Sequence, residues 1–204
     1  MSAIVKRVKP EKEATDLPDV FIFHPKVFPD DRGYFSECYR LTEWSSELGF
    51  HHVFLQDNLS RSSRGCIRGL HVQSDMGKLV RCIQGEILDV AVDVRPESPS
   101  FGKSFSTILS DSNLKALWVP KGFAHGFQVL SETALTFYKC TAIHNPEAEF
   151  AVNPFDPQIA VTWPIQDKVI LSDKDRNAPN LCDIKDIAER LKINNDFDFP
   201  ATTN

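Results

Sequence analysis

The stretch Glu86-Ile87-Leu88-Asp89-Val90-Ala91-Val92-Asp93-Val94 alternates with the period of two that belongs to an extended strand. Leu88, Val90, Val92 and Val94 fall on one face, while Asp89 and Asp93 share the other with Ile87 and Ala91. Two carboxylates therefore point away from an aliphatic face. Working outward, Phe123, His125, Phe127 and Val129 share a face in the same way, and in Leu135 to Cys140 the residue Tyr138 lies opposite Phe137 and Lys139. Polar groups carried on several such strands are expected to line an interior cavity. From Val20 to about Pro164, short apolar runs are punctuated by the turn signals Pro29-Asp30-Asp31-Arg32-Gly33, Arg64-Gly65 and Pro96-Glu97-Ser98-Pro99. That spacing predicts an all-β antiparallel sandwich or barrel.

The rest of the chain fits one domain of this kind. Its 204 residues include 42% hydrophobic positions and 15 phenylalanines, enough to fill a single packed interior. Thr42 to Leu48 reads as a short helix on a connection. Asp183 is suited to cap a helix over Ile184 to Ile193, with Ile184, Ile187, Ala188 and Leu191 on the stripe that would pack on the barrel exterior. The domain is expected over residues 20–181, with an N-terminal arm at 1–19 and a C-terminal helix and tail at 182–204. Residues 1–18 and the tail from Asn194 carry no strong pattern.

Charge and cysteine usage narrow the function. A net charge of −5 argues against a mainly electrostatic nucleic-acid binder but leaves room for a local basic pocket that grips a phosphate. The five cysteines, Cys38, Cys66, Cys82, Cys140 and Cys182, show no C-x-x-C spacing and read as reduced thiols. Met1 to Pro10 has no apolar core of signal-peptide length, and no stretch approaches a membrane span, so the cytoplasm is the expected location.

One short segment carries chemistry. Arg68-Gly69-Leu70-His71, followed by Lys78, sets two cations beside an imidazole. Cations can hold a phosphate or a developing oxyanion while the histidine moves a proton. Taken alone, His71 is equally a satisfied barrel histidine; Arg68 and Lys78 favour the base. A base near two cations needs a carboxylate to orient it, and Asp175, Asp89 and Asp93 are the candidates. His125, in Pro120 to Gly126, reads as well as a buried core imidazole as it does as a site residue. Tyr138 taken alone is more often a core aromatic than an acid, and Arg32 more often a solvated turn charge. Metal-binding cupin barrels bring H-x-H and a glutamate, whereas this chain reads His71-Val72-Gln73. With one imidazole there, no catalytic metal and no other cofactor is expected.

Read in order, many phrases resemble the dTDP-4-dehydrorhamnose 3,5-epimerase family. They include Phe28-Pro29-Asp30-Asp31-Arg32-Gly33-Tyr34-Phe35-Ser36-Glu37, Gln56-Asp57-Asn58-Leu59-Ser60, Arg68 to Gln73, Gly77-Lys78-Leu79-Val80-Arg81, Asp89 to Arg95, Pro120 to Phe127, Tyr138-Lys139 and Leu171 to Asp175. The resemblance runs from about residue 20 to 181, and it is the shared order of separate phrases that makes it specific. It implies a cupin-type jelly-roll homodimer that uses no metal and inverts C3 and C5 of a dTDP-linked 4-keto-6-deoxyhexose. It further implies His71 as the base, Asp175 as its orienting partner, Tyr138 as the acid on the opposite face and Lys78 as the enolate stabiliser. Arg32 and Arg68 would hold the diphosphate; Glu37, Gln56, Asn58, His125, Glu149 and Lys174 would line the nucleotide or sugar pocket. The chain departs from the family where Cys140-Thr141-Ala142-Ile143-His144 stands in place of a segment ending in two tyrosines. The stretch from His71 to Lys78 is shorter, and Asn153-Pro154-Phe155-Asp156-Pro157 differs as well. The edge of the pocket is thus expected to be remodelled. An epimerase inverting C3 or C5 alone, and a barrel that binds nucleotide sugars without turning them over, are the alternatives to a double epimerase.

Overall fold

The computed structural model describes residues 6–191. Its frame is two facing antiparallel sheets. The first is ordered β1 (Glu11–Ala14), β2 (Phe21–His24), β10 (Ala116–Val119), β7 (Lys78–Gln84), β12 (Thr133–Cys140) and β5 (Gln56–Ser63). The second is ordered β13 (Glu149–Ala151), β6 (Ile67–Gln73), β11 (Phe123–Val129), β8 (Glu86–Asp93) and β9 (Ser104–Ser110). A separate ribbon joins β3 (Lys26–Asp30) to β4 (Gly33–Glu37). Apart from β1–β2 and β8–β9, neighbours in these sheets are not consecutive in sequence, as in a jelly roll.

The alternation in β8 explains the layering. Its Ile87 and Ala91 pack between the sheets with Val80, Leu117, Phe123, Phe127 and Val129. Its Leu88, Val90 and Val92 pack outward, against Phe150, Val152, Ile159, Trp163 and Leu181 of the C-terminal segment. A third cluster closes the far side of the first sheet, where α1 (Leu41–Leu48) buries Trp44 against Phe23, Phe50, Leu79 and Trp118. β8 is therefore covered on both faces, so its carboxylates need partners. Asp89 meets His125. Asp93 instead closes the following turn, accepting hydrogen bonds from Arg95 Nε at 2.9 Å and from the hydroxyls of Ser98 and Ser100 at 2.6 Å.

Burial would raise the Asp93 pKa, but the hydrogen bonds from Arg95, Ser100 and Ser98 outweigh it and hold the carboxyl at about 2. A depressed pKa contributes stability that is present above the unfolded value and lost as pH falls through the folded one. Asp93→Asn is therefore expected to lower unfolding free energy by on the order of 2 kcal/mol at neutral pH. The wild-type advantage should fade from about pH 4 to about pH 2; denaturant titrations across that range check it.

Both ends of the domain hold structure that the sequence pattern does not report. The arm carries no strong pattern in the sequence, yet Glu11–Ala14 pairs antiparallel with Phe21–His24. All four β1 residues are exposed at the sheet edge, so the strand has no buried face to leave a hydrophobic pattern. The C-terminal helix begins later than expected. Leu181–Asp183 forms a 3-10 turn, Ile184 is extended, and among the described residues the one α-helix after α2 (Asp173–Arg176) is α3 (Ile187–Arg190), preceded by Asp186 in the left-handed region. Burial of Leu181 against the second sheet fixes that turn, so Asp183 ends one instead of capping a helix. Ile184, Ile187 and Leu191 do pack on the barrel exterior as expected; Lys192 and Ile193 lie outside the described residues.

Candidate active site

A cavity of about 360 Å³ opens at one end of the sandwich, and both sheets supply its wall. β5 brings Asn58 and Ser60, β7 brings Lys78, and β12 brings Tyr138; from the second sheet come Arg68 and His71 on β6, His125 on β11 and Glu149 on β13. α2 closes the side with Lys174 and Asp175. The inward residues obey the strand period: Asn58 lies directly across from Tyr138, and His71 directly across from His125.

That last pairing depends on two glycines. A Cβ on Gly69, where φ is +129°, would stand 2.5 Å from the Gly126 Cα, and one on Gly126 would stand 2.8 Å from the Arg68 carbonyl oxygen. Only without side chains can β6 and β11 come this close beside the two histidines.

Of the three carboxylates the sequence offered, Asp175 orients His71. Its Oδ1 is 2.6 Å from His71 Nε2, and its Oδ2 accepts the Gly69 N–H at 3.4 Å. The segment is locally fixed because the Asp175 N–H donates to the Ser172 hydroxyl at 3.1 Å. Burial pushes the Asp175 pKa up, but the hydrogen bond and charge of His71, with the Gly69 and Ser172 contacts, bring it below the usual carboxylate range. Asp175 therefore stays ionised and holds the His71 ring by Nε2. With Nε2 held, Nδ1 remains for chemistry in the cavity.

Around this base the polarity is graded. Burial depresses the Lys78 pKa, opposed by the charges of Cys140, Glu149 and Asp89, so its ammonium is poorly solvated and seeks an anion. Burial raises the Tyr138 pKa, keeping the hydroxyl protonated and able to donate. Arg68 Nε donates to Ser62 Oγ at 2.9 Å, which fixes the guanidinium at the wall. Lys174 and Glu149 form a close ion pair at the mouth, where His144 also approaches Glu149 at 3.7 Å. The Glu149 pKa is lowered because Lys174 and neighbouring imidazoles outweigh burial.

The structure gathers nine of the twelve residues singled out from sequence. Gln56 stands just beyond, its Nε2 donating to Asn58 Oδ1 at 3.0 Å and its Oε1 accepting the His144 N–H at 2.9 Å. Arg32 and Glu37 are elsewhere. Arg32, on the turn of the β3–β4 ribbon, is 90% exposed and pairs with Asp30; Glu37 pairs with Lys26 and Arg40. Ser60, Met76, Phe127, His144 and Ser172 also line the cavity, though sequence reading did not select them. Ser60 could have been found, because it continues the inward stripe of Gln56 and Asn58 on β5. Gln73, at the second position of the cupin H-x-H, donates to the Ile143 carbonyl and accepts from the Asn145 N–H, so it anchors the mouth loop. Among the described residues no cluster of three or more His, Cys, Asp or Glu could hold a metal ion.

A jelly roll whose cavity sets a carboxylate-held imidazole against a buried lysine and a protonated tyrosine defines an acid–base enzyme. Comparison with known proteins narrows this class. A family profile for dTDP-4-dehydrorhamnose 3,5-epimerase matches residues 14–183. The enzyme of that name from Pseudomonas aeruginosa is 47% identical over 169 residues, covering 82% of this chain and 93% of the relative. A crystal structure of a dTDP-6-deoxy-D-glucose-3,5-epimerase from Legionella pneumophila, in complex with dTDP-4-keto-L-rhamnose, superposes with a TM-score of 0.85 at 45% identity, covering 89% of this chain and 97% of the other. The 3′-monoepimerase ChmJ from Streptomyces bikiniensis, in complex with dTDP-quinovose, gives a TM-score of 0.79 at 32% identity over 88% of this chain and 90% of the other. The chain belongs to the dTDP-4-dehydrorhamnose 3,5-epimerase family, whose cupin-type fold it shares, and is an isomerase.

Proposed function

We propose that the protein epimerises a dTDP-linked 4-keto-6-deoxyhexose at C3 and C5 without a cofactor, the reaction that supplies dTDP-L-rhamnose synthesis. The observation that carries this reading is the convergence of His71–Asp175, Lys78 and Tyr138 on one cavity. His71 Nδ1 removes the proton on the carbon next to the ketone, and the electron pair of that C–H bond moves onto the ketone oxygen as an enolate. Lys78 meets the new negative charge. Tyr138 then returns a proton to the opposite face, and the configuration inverts. The same steps at the second carbon complete the double inversion. Arg68 holds the diphosphate, while Asn58, His125, Glu149, Lys174 and the neighbouring Gln56 line the sugar and nucleotide positions.

A homodimer completes this reading. Arg32 and Glu37 match pocket positions of the family yet sit on a ribbon outside their own chain's cavity. The same ribbon exposes Phe35 by 67% and Tyr34 by 44%. Such a surface suits insertion into a second copy, where Arg32 would reach the diphosphate of the other chain's substrate. The five cysteines are all free, in keeping with a cytoplasmic enzyme, and no helix among the described residues is long and apolar enough to cross a membrane.

Incubation with dTDP-4-keto-6-deoxyglucose in D₂O tests the function. Deuterium at both C3 and C5, read by NMR, is the expected result. Label at one carbon would mean a single epimerase, an outcome the Ile143-His144 segment at the mouth makes worth resolving. No label at either would exclude turnover of this substrate. Tyr138→Phe sharpens the test, because the base remains while the opposite-face acid is gone. Exchange of substrate hydrogen is expected to survive, with inversion slowed on the order of 10²–10⁴-fold. Equal loss of exchange and inversion would place Tyr138 in another role.

A further inference from the structure

Asp89 is the one carboxylate of the three read from sequence that lies beneath the cavity without being placed in the reaction. It is 0% exposed, and its Oδ1 accepts from His125 Nε2 at 2.8 Å. Its Oδ2 is buried with no hydrogen-bond partner among the described residues. A carboxylate so placed costs stability unless it serves cations beside it. The charged and titratable groups around it are His125 on β11 and Lys78 with Cys82 on β7. Lys78 in turn faces Cys140 on β12, Glu149 on β13 and Lys174 on α2.

We propose that Asp89 is a positioning residue for the epimerase: it fixes His125 by Nε2, presenting Nδ1 to the substrate, and sets a buried carboxylate in the electrostatic surroundings of Lys78. The arrangement repeats that of His71 and Asp175 on the neighbouring strand, since His125 is the direct cross-strand partner of His71. The two dyads have different tasks. His71 serves as the base, whereas His125 and Lys78, which line the same cavity, serve the oxygen where charge develops. Burial raises the Asp89 pKa while His125 and Lys78 oppose the rise, so the three groups form one electrostatic unit.

This inference rests on the proposed epimerase reaction, and its test separates the two. In Asp89→Asn the shape is kept and the charge removed. Turnover is expected to fall about 10²-fold, with KM changed by less than about threefold, because the loss is of a group acting on the transition state. Lys78 must be protonated to meet the enolate, and losing a nearby anion lowers its pKa. The alkaline limb of the kcat profile is thus expected to move to lower pH by on the order of one unit. Combining Asp89→Asn with His125→Asn should cost less than the product of the two single losses. Wild-type turnover with an unshifted profile in a folded Asp89→Asn protein would overturn the inference and leave the epimerase reading intact. A wild-type enzyme that turns over no 4-keto sugar would instead overturn that reading. Should the variant not fold, ¹⁵N NMR of histidine-labelled wild type still decides: His125 is expected to carry a proton on Nε2 throughout the neutral range, and an Nδ1–H tautomer with bare Nε2 would overturn the assignment.

Discussion

His71→Ala is expected to abolish solvent-deuterium exchange at both C3 and C5 and to lower turnover on the order of 10⁴-fold, with nucleotide binding retained. The magnitude is at the upper end for a general base because His71 is the imidazole paired to an ionised carboxylate at 2.6 Å in the cavity. Burial raises the Tyr138 pKa and keeps its phenol protonated, so Tyr138 gives a proton and does not remove one. Binding should persist, since Arg68 is anchored independently by Ser62 and Lys174 by Glu149. Folding should persist too, because the His71 side chain is 27% exposed and removing it leaves no sealed void. Asp175→Asn provides the graded companion. It keeps the shape but leaves His71 with an amide that cannot stabilise its imidazolium, so a smaller loss is expected. The measurement is deuterium uptake in single turnovers, with dTDP affinity by calorimetry as control. Retained exchange in His71→Ala would assign the base elsewhere.

How much of this was legible in the sequence follows from how each feature is encoded. β8 could be read residue by residue, because Leu88, Val90 and Val92 against Ile87 and Ala91 report two buried faces through the strand period alone. Glu11–Ala14 could not, since an edge strand with every side chain in water leaves no pattern. His71 and Lys78 announced a site by proximity in the chain. Their carboxylate did not: Asp175, Asp89 and Asp93 were equivalent from local composition, and only the fold, or a resemblance to a family, could separate them. The three turned out to have three tasks, with Asp175 on His71, Asp89 on His125 and Asp93 on the turn at Arg95. Sequence distances of 104 residues for the first pair and 36 for the second explain why. The proposed reach of Arg32 into a second chain is a harder case, because such a role would leave no mark in the residue's own sequence.

That reach gives the second large effect. Arg32→Ala alone is expected to lower kcat/KM by roughly 10²-fold, the equivalent of one charged hydrogen bond to phosphate. The informative experiment pairs it with His71→Ala. Each variant homodimer has two damaged sites: one kind lacks the base, the other the ribbon arginine. In a heterodimer with swapped ribbons, one site collects both lesions and the other receives an intact His71 from one chain and an intact Arg32 from its partner. Co-expression with two affinity tags and purification of the mixed species should therefore recover about half of wild-type activity per dimer. If Arg32 served its own chain's cavity, or no dimer formed, every site would carry one lesion and activity would remain at the level of the variants. The ribbon's surface argues for the first outcome: Phe35 and Tyr34 are exposed, and the β3–β4 pair hydrogen-bonds to neither main sheet through a strand neighbour. Apolar side chains displayed on such a projection lose water only by entering another protein surface. The same contact that buries them would bring a guanidinium, tied to Asp30 among the described residues, to the proposed diphosphate position beside Arg68. Assembly and substrate binding would then be coupled, and dilution to monomer should lower the affinity for dTDP as well as turnover.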